Sequence, residues 1–119
     1  MLLQTVTPVS VLGTTVLLAL FLSLTAHVAA RNVLGDVDPR RALYVGPLPA
    51  VISVVGNAFE LPAALILLAA LLVDGTMFWW SYEEPRRVVA GITLIHAVVT
   101  TLLAGVLILV SVLLASMPG

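Results

Sequence analysis

Long apolar runs separated by short polar turns dominate this chain. The first run, residues 9–30, holds about 22 residues, and an α-helix needs roughly 20 to cross a bilayer. Arg31 ends the run, and a connector containing Gly, Asp and Pro follows it. The pattern predicts a first membrane-spanning helix that ends near Arg31.

Two later connectors carry nearly the same signal. The letters "VDPRRAL" at 37–43 and "EEPRRVV" at 83–89 both place an acid, a proline and two arginines before an apolar run. An acidic side chain can cap a helix, and proline fits the first turn, where no N–H is needed. We therefore expect Asp38 and Glu84 to cap the second and fourth helices.

The second and third helices are less regular in sequence. Residues 42–59 form the second candidate span, in which Gly46 and two nearby prolines predict a kink. Glu60 is placed to cap a third helix over 61–80. The clean apolar part of that helix is about 13 residues, too short for a core of about 30 Å, so the helix must continue through Asp74.

With a fourth run over 86–114, the pattern predicts an all-α membrane protein, a four-transmembrane-helix bundle in one domain over 1–119. Four crossings place the N- and C-termini on the non-cytoplasmic side and all five arginines on the cytoplasmic side, where they can also contact lipid headgroups. The arginines are Arg31, Arg40, Arg41, Arg86 and Arg87. An aromatic belt is expected at their level, formed by Tyr44, Phe78, Trp79, Trp80 and Tyr82.

A second layout folds residues 42–73 as a re-entrant hairpin that enters the membrane and returns. This layout also keeps every arginine on one side, so charge does not exclude it. Irregular backbone at membrane depth must be buried in protein or water, which a small protein supplies poorly. Four full spans are therefore the favoured layout.

Composition supports a membrane protein and disfavours several functions. The chain is 61% hydrophobic and 9% charged, against about 25% charged residues in soluble proteins. A net charge of -1 argues against nucleic acid as a partner, and the lack of cysteine excludes disulfides and thiol catalysis. Known catalytic motifs are absent, so we expect no enzyme activity.

Three ionisable residues fall inside the predicted spans, and such residues are functional candidates by default. Counted at 1.5 Å per residue, His27, Asp74 and His96 lie about 6, 9 and 13 Å below the cytoplasmic surface. Asp74 and His96 are therefore close enough in depth to pair. The pair could bind a proton, with the carboxylate stabilising a charged histidine, or act only as an interhelical polar clasp, which is the favoured interpretation. A third interpretation places Asp74 at a frayed helix end.

Helix four carries two stripes that need a protein neighbour. Thr93, His96 and Thr100 form a polar stripe that should face inward. A small-residue stripe of Thr93, Ala97, Thr101 and Gly105 allows close helix packing. Packing within the chain and contact with a second subunit explain the small-residue stripe equally well.

His27 shares a helix face with Ser23 and Arg31 because these residues are four apart. Two histidines and one aspartate make a poor metal site, and His27 and His96 differ in depth by about 7 Å, which suits haem badly. We expect no cofactor and no metal.

The segments "TAHVAARNVLGDVDPRRAL" and "GITLIHAVV" resemble small four-span membrane proteins of halophilic archaea. The resemblance runs through His27, the Gly35-Asp36 turn, the paired arginines and His96. That group has no established activity, so the resemblance implies the layout and the source class without a mechanism.

Two functions from different classes follow. The first is a non-catalytic accessory or scaffold subunit of a larger complex in the cell membrane, with the lipid bilayer and other membrane subunits, or a second copy, as partners. The second is a homo-oligomeric proton-linked transporter or channel that uses Asp74 and His96. Minimal loops and the small-residue stripe favour the accessory subunit.

Overall fold

The computed structural model describes residues 7–118, and this part of the chain contains four α-helices, one 3-10 helix and no strand. The predicted all-α class is confirmed. Three helices, α1, α3 and α4, are long and apolar enough to cross a membrane. The elements are α1 (Pro8–Leu34), a 3-10 helix (Pro39–Tyr44), α2 (Pro47–Ala58), α3 (Ala63–Tyr82) and α4 (Arg86–Ala115).

Helix α1 begins at Thr7, whose side chain accepts a hydrogen bond from the backbone N–H of Ser10 at 3.0 Å. It ends at Gly35, which has φ of +83°, a conformation that favours glycine. The Gly35 N–H donates to the carbonyl of Arg31, so the helix passes Arg31 by a turn. The helix extends beyond the predicted span over 9–30, because a charge ends an apolar run without ending the helical hydrogen bonds.

The second element starts as predicted and then departs from a simple helix. Asp38 caps it by accepting from the backbone N–H of Arg40 at 3.0 Å, and Pro39 is its first residue. Arg40 also donates side-chain hydrogen bonds to Asp38, which lower the pKa of that exposed carboxyl and raise the pKa of Arg40. The predicted helix over 42–59 is in fact a 3-10 helix, a turn at Val45–Gly46 and the 12-residue α2.

Helix α3 is continuous from Ala63 to Tyr82, as the requirement that it continue through Asp74 predicts. Asp74 is 4% exposed in the interior of the helix, so a frayed end at this position is wrong. The prediction that Glu60 caps α3 is also wrong. Pro62 is the N-cap, without a side-chain hydrogen bond, and Glu60 instead has φ of +56° in the preceding turn.

Helix α4 begins at Arg86, with Pro85 as its N-cap and no side-chain capping bond. The predicted cap by Glu84 is therefore wrong, although proline does stand at the helix start. Glu83, the residue before Glu84, is the C-cap of α3 and has the left-handed conformation. Its N–H donates to the carbonyl of Trp79. The short connector thus ends one helix and begins the next with different residues.

The buried core lies toward the end of the molecule that carries the arginines. Small residues of α1 let the neighbouring helices approach closely, and larger side chains fill the space between them. The cluster consists of Ala26, Ala29, Ala30, Ala42, Val45, Phe78, Tyr82, Val89 and Ile92. At the opposite end, α4 beyond Leu102 is almost wholly exposed.

Gly46 brings the start of α2 against the backbone of α1. A Cβ at this position would lie 2.5 Å from the backbone nitrogen of Ser23 and 2.6 Å from the carbonyl oxygen of Ala19. Any side chain would force the two segments apart. The close contact between α1 and the turn that joins the 3-10 helix to α2 therefore requires glycine at this position.

Candidate functional site

A buried polar clasp joins three helices near the middle of the bundle; we use this term for His96, Asp74, Thr25 and Thr100. His96 of α4 is 3% exposed, and its Nδ1 pairs with Oδ2 of Asp74 on α3. Phe78, one turn along α3, meets the imidazole edge-on with ring centroids 5.4 Å apart. The helical register that put Asp74 and His96 at similar depth thus brings the two residues into contact.

The other imidazole nitrogen connects His96 to α1. His96 Nε2 lies 2.8 Å from the Thr25 hydroxyl and 3.1 Å from the carbonyl oxygen of Leu22. Thr100, one turn beyond His96, donates to the Thr25 oxygen at 2.9 Å. One histidine therefore holds hydrogen-bond partners on α1 and α3 at once.

One assignment of protons satisfies all of these partners. The Thr25 hydroxyl donates to the Leu22 carbonyl at 3.1 Å and accepts from His96. In this assignment Nε2 carries a proton and faces two acceptors, Thr25 and Leu22. On the other side of the ring, Nδ1 and Asp74 Oδ2 share one further proton, and the pair is neutral overall whichever atom holds it.

One atom of the clasp is not satisfied. Within residues 7–118, the second carboxylate oxygen of Asp74, Oδ1, is buried without a hydrogen-bond partner. A buried acceptor in this condition is uncommon and costly in apolar surroundings. The clasp can accept one more hydrogen bond at this oxygen.

Two other polar residues singled out in the sequence, Thr93 and Ser23, lie outside the clasp. Thr93 donates to the Val89 carbonyl of its own helix at 2.9 Å and packs near Gly75, so the proposed polar stripe contributes only His96 and Thr100. Ser23, predicted to share a face of α1 with His27, faces Gly46. It lies two residues from Thr25, which turns it about 160° away around the helix.

His27 is also outside the clasp. It is half-buried, shares the face of α1 that carries Ser23, and its Nδ1 has no hydrogen-bond partner in the described part of the chain. Across residues 7–118, no three His, Cys, Asp or Glu side chains come close enough to hold a metal ion.

The small-residue stripe of α4 is divided by the fold. Thr93 and Ala97 are half-buried, and a Cβ on Gly75 would come within 3.4 Å of the Thr93 hydroxyl, so this part packs near α3. Thr101 and Gly105 are exposed, and no described atom would lie within 4 Å of a Cβ on Gly105. Within the described chain, Gly105 therefore has no close neighbour, and Thr101 is exposed beside it on the same face of α4.

The arginines differ in how they are held. Arg41 donates to the Ser81 carbonyl, and the Ser81 hydroxyl donates back to the Arg41 carbonyl at 2.8 Å, which fixes the 3-10 helix to the end of α3. Arg40 pairs with Asp38 at 3.0 Å, and Arg31 approaches Asp36 at 3.7 Å. Arg86 and Arg87 are exposed in the first turn of α4.

The predicted aromatic belt is only partly an exposed surface. Trp79 and Trp80 are exposed, and Trp80 meets Tyr44 edge-on with centroids 5.8 Å apart. Tyr82 and Phe78 are instead buried in the core, against each other. These two are buried because residues four apart on α3 share its inward face.

Comparison with known proteins identifies a family without supplying a function. No curated protein and no solved structure matches the chain. The match to the family states neither source nor topology, so the resemblance to halophilic archaeal proteins stays a prediction. The model described as "Family of unknown function (DUF7473)" matches residues 5–118, and the chain therefore belongs to that family.

Proposed function

We propose that the protein is an integral protein of the cell membrane with four crossings, its arginines on the cytoplasmic side and its termini outside. Helices α1, α3 and α4 have the length and apolar character that crossings need. Helix α2 alone rises only about 18 Å, but the 3-10 helix before it adds about 12 Å if the two are aligned. Together they approach the thickness of a bilayer core, so the second crossing is a broken one.

Within the membrane, the protein acts as a non-catalytic accessory or scaffold subunit of a larger complex. The observation that carries this proposal is the exposed outer half of the small-residue stripe, where Thr101 and Gly105 lie open on α4. Small residues let helix backbones approach and pack without the gap that large side chains impose. A transmembrane helix of another subunit fits this surface.

The polar clasp supports the same role. It ties α1, α3 and α4 through hydrogen bonds that are almost all satisfied, an arrangement suited to fixing helices in one register. Interhelical polar contacts of this type contribute about 0.6–2 kcal/mol in membranes. A rigid bundle can present α4 to a partner in a constant orientation.

Site-specific photocrosslinking tests the partner surface. A benzophenone amino acid placed at Gly105 should form an adduct with an unrelated membrane protein in native cells. The matched control is Val106, also exposed but turned about 100° around the helix. Equal yields at both positions, or adducts at Gly105 formed only with lipid or with another copy of the chain, contradict the proposal.

A homo-oligomeric proton-linked transporter is the second candidate, and the buried pair of Asp74 and His96 favours it. A pair that shares a proton inside the membrane is a plausible exchange site for protons. Four short helices enclose little polar space, so several copies would have to form the path. If Asp74→Asn moves protons or solute in proteoliposomes as well as the unaltered protein does, this candidate fails.

A further inference from the structure

A cavity of about 260 Å³ lies beside the polar clasp. All four α-helices contribute to its lining, which is mainly apolar: Leu18 comes from α1, Pro49 from α2 and Leu71 from α3. Asp74, His96 and Thr100 form its polar end, and the hydroxyl residues Ser53 and Thr101 also belong to the lining. An apolar chamber with a few converging polar groups is the usual form of a small-molecule site.

One oxygen atom at the polar end lacks a hydrogen-bond partner. Asp74 Oδ2 is engaged by His96, whereas Asp74 Oδ1 is buried and has no partner among residues 7–118. A carboxylate oxygen accepts hydrogen bonds and cannot donate them when ionised. A ligand that supplied one donor would remove the cost of leaving this acceptor unpaired.

The charge of the polar end selects a neutral donor. In the proton assignment given above, Asp74 and His96 are neutral as a pair, because one proton is shared between them and the other is held on Nε2. The other described residues that line the cavity have uncharged side chains. An ammonium group entering this apolar space would lose its hydration without meeting a net negative charge. A hydroxyl is uncharged, so its desolvation costs much less and one hydrogen bond can offset it.

The position of the cavity indicates where such a ligand comes from. Leu67 and Thr101 on its border are exposed on the sides of α3 and α4, within the apolar length of both helices. The opening therefore faces the hydrocarbon that surrounds the helices in the proposed membrane layout. The volume is smaller than the roughly 300–1,000 Å³ of pockets for drug-sized molecules, so it suits the end of a single chain.

We propose that this cavity binds a neutral amphiphile, an apolar chain that carries one hydroxyl, whose O–H donates to Asp74 Oδ1. The ligand enters sideways from the bilayer, and its chain lies against Leu18, Leu67 and Leu71. This inference rests on the proposed membrane layout and goes beyond the accessory role.

Photolabelling of the purified full chain in lipid nanodiscs tests the proposal. The probe is a dodecanol that carries a diazirine in its chain, compared with its methyl ether and with the primary ammonium of the same chain length. The alcohol should label residues of the cavity wall at least fivefold more than the ether, which has no donor, and more than the ammonium. Labelled positions are read by peptide mass spectrometry.

A cavity-filling variant provides the control for location. Ala70→Leu places a larger side chain in the cavity lining, while Ala64→Leu adds the same atoms at an exposed position of the same helix. Labelling by the alcohol should fall several-fold in the first variant and stay unchanged in the second. Equal labelling by alcohol and ether, preference for the ammonium, or no effect of Ala70→Leu in a folded variant each overturns the proposal.

Discussion

At the scale of single residues, the fold depends on the hydrogen bonds that the buried side chain of His96 makes. His96 has hydrogen-bond partners on α1 and α3, and all of these groups are almost fully buried. Removing one member leaves the other buried and unpaired, which costs more than the pair contributes. Replacing both members with apolar residues removes that penalty.

A double-mutant cycle tests this dependence. We expect Asp74→Leu and His96→Phe each to lower the unfolding temperature in detergent, and the double variant to recover part of the loss. The coupling should be about 1–2 kcal/mol. Thr76→Val on the exposed face of α3 is the control and should have almost no effect. Strictly additive losses would show that the two residues do not act as a pair.

The sequence predicted part of this site for a clear physical reason. Ionisable residues are rare in apolar helices, and counting from Trp80 and Arg87 at the predicted surface placed Asp74 and His96 at similar depth. Thr25 was missed because α1 is apolar on all sides, so its pattern does not show which face turns inward. A run of small residues, Ala26, Ala29 and Ala30, was the available signal for the close-packed face.

At the scale of elements, the position of α2 depends on one glycine. The backbone at Gly46 touches α1 at Ser23 and Ala19, and Gly46 has φ of -63°, which any residue can adopt. Its requirement is therefore for space and not for backbone freedom. Proline and glycine punctuation predicted the break, but the close contact involves a distant part of the chain and could not be read locally.

Matched glycine substitutions separate space from helix propensity. Gly46→Ala should destabilise the protein by about 1–3 kcal/mol or more, because the added methyl meets backbone atoms. Gly105→Ala, where no described atom is near, should be neutral or stabilising by up to about 1 kcal/mol, since alanine favours helix. Unfolding temperatures in detergent measure both. A stable Gly46→Ala protein would show that α2 is not held by this contact.

At the scale of the whole molecule, the lengths of the helices bear on the layout. Helix α3 rises about 30 Å between the Glu60 turn and the arginine end, enough for a full crossing. In the re-entrant layout, the turn near Glu60 would instead lie inside the membrane. Residue patterns could not decide between the layouts, because both put every arginine on one side.

Single cysteine substitutions can distinguish the two layouts, since the chain contains no cysteine of its own. Glu60→Cys should react with a membrane-impermeant maleimide from outside intact cells, and Glu84→Cys only after the cells are opened. Both positions lie in connectors between helices, so the substitutions should not disturb the fold. A Glu60→Cys protein that stays unlabelled from both sides would support the hairpin and contradict four crossings.

The composition of the complex extracted from native membranes tests the proposed role most directly. The chain should be purified at its natural level in mild detergent and weighed by native mass spectrometry. We predict a particle in which the chain is bound in fixed ratio to unrelated membrane subunits, and a Gly105→Leu variant that loses them while Gly13→Leu keeps them. A particle containing only copies of this chain would contradict the accessory role.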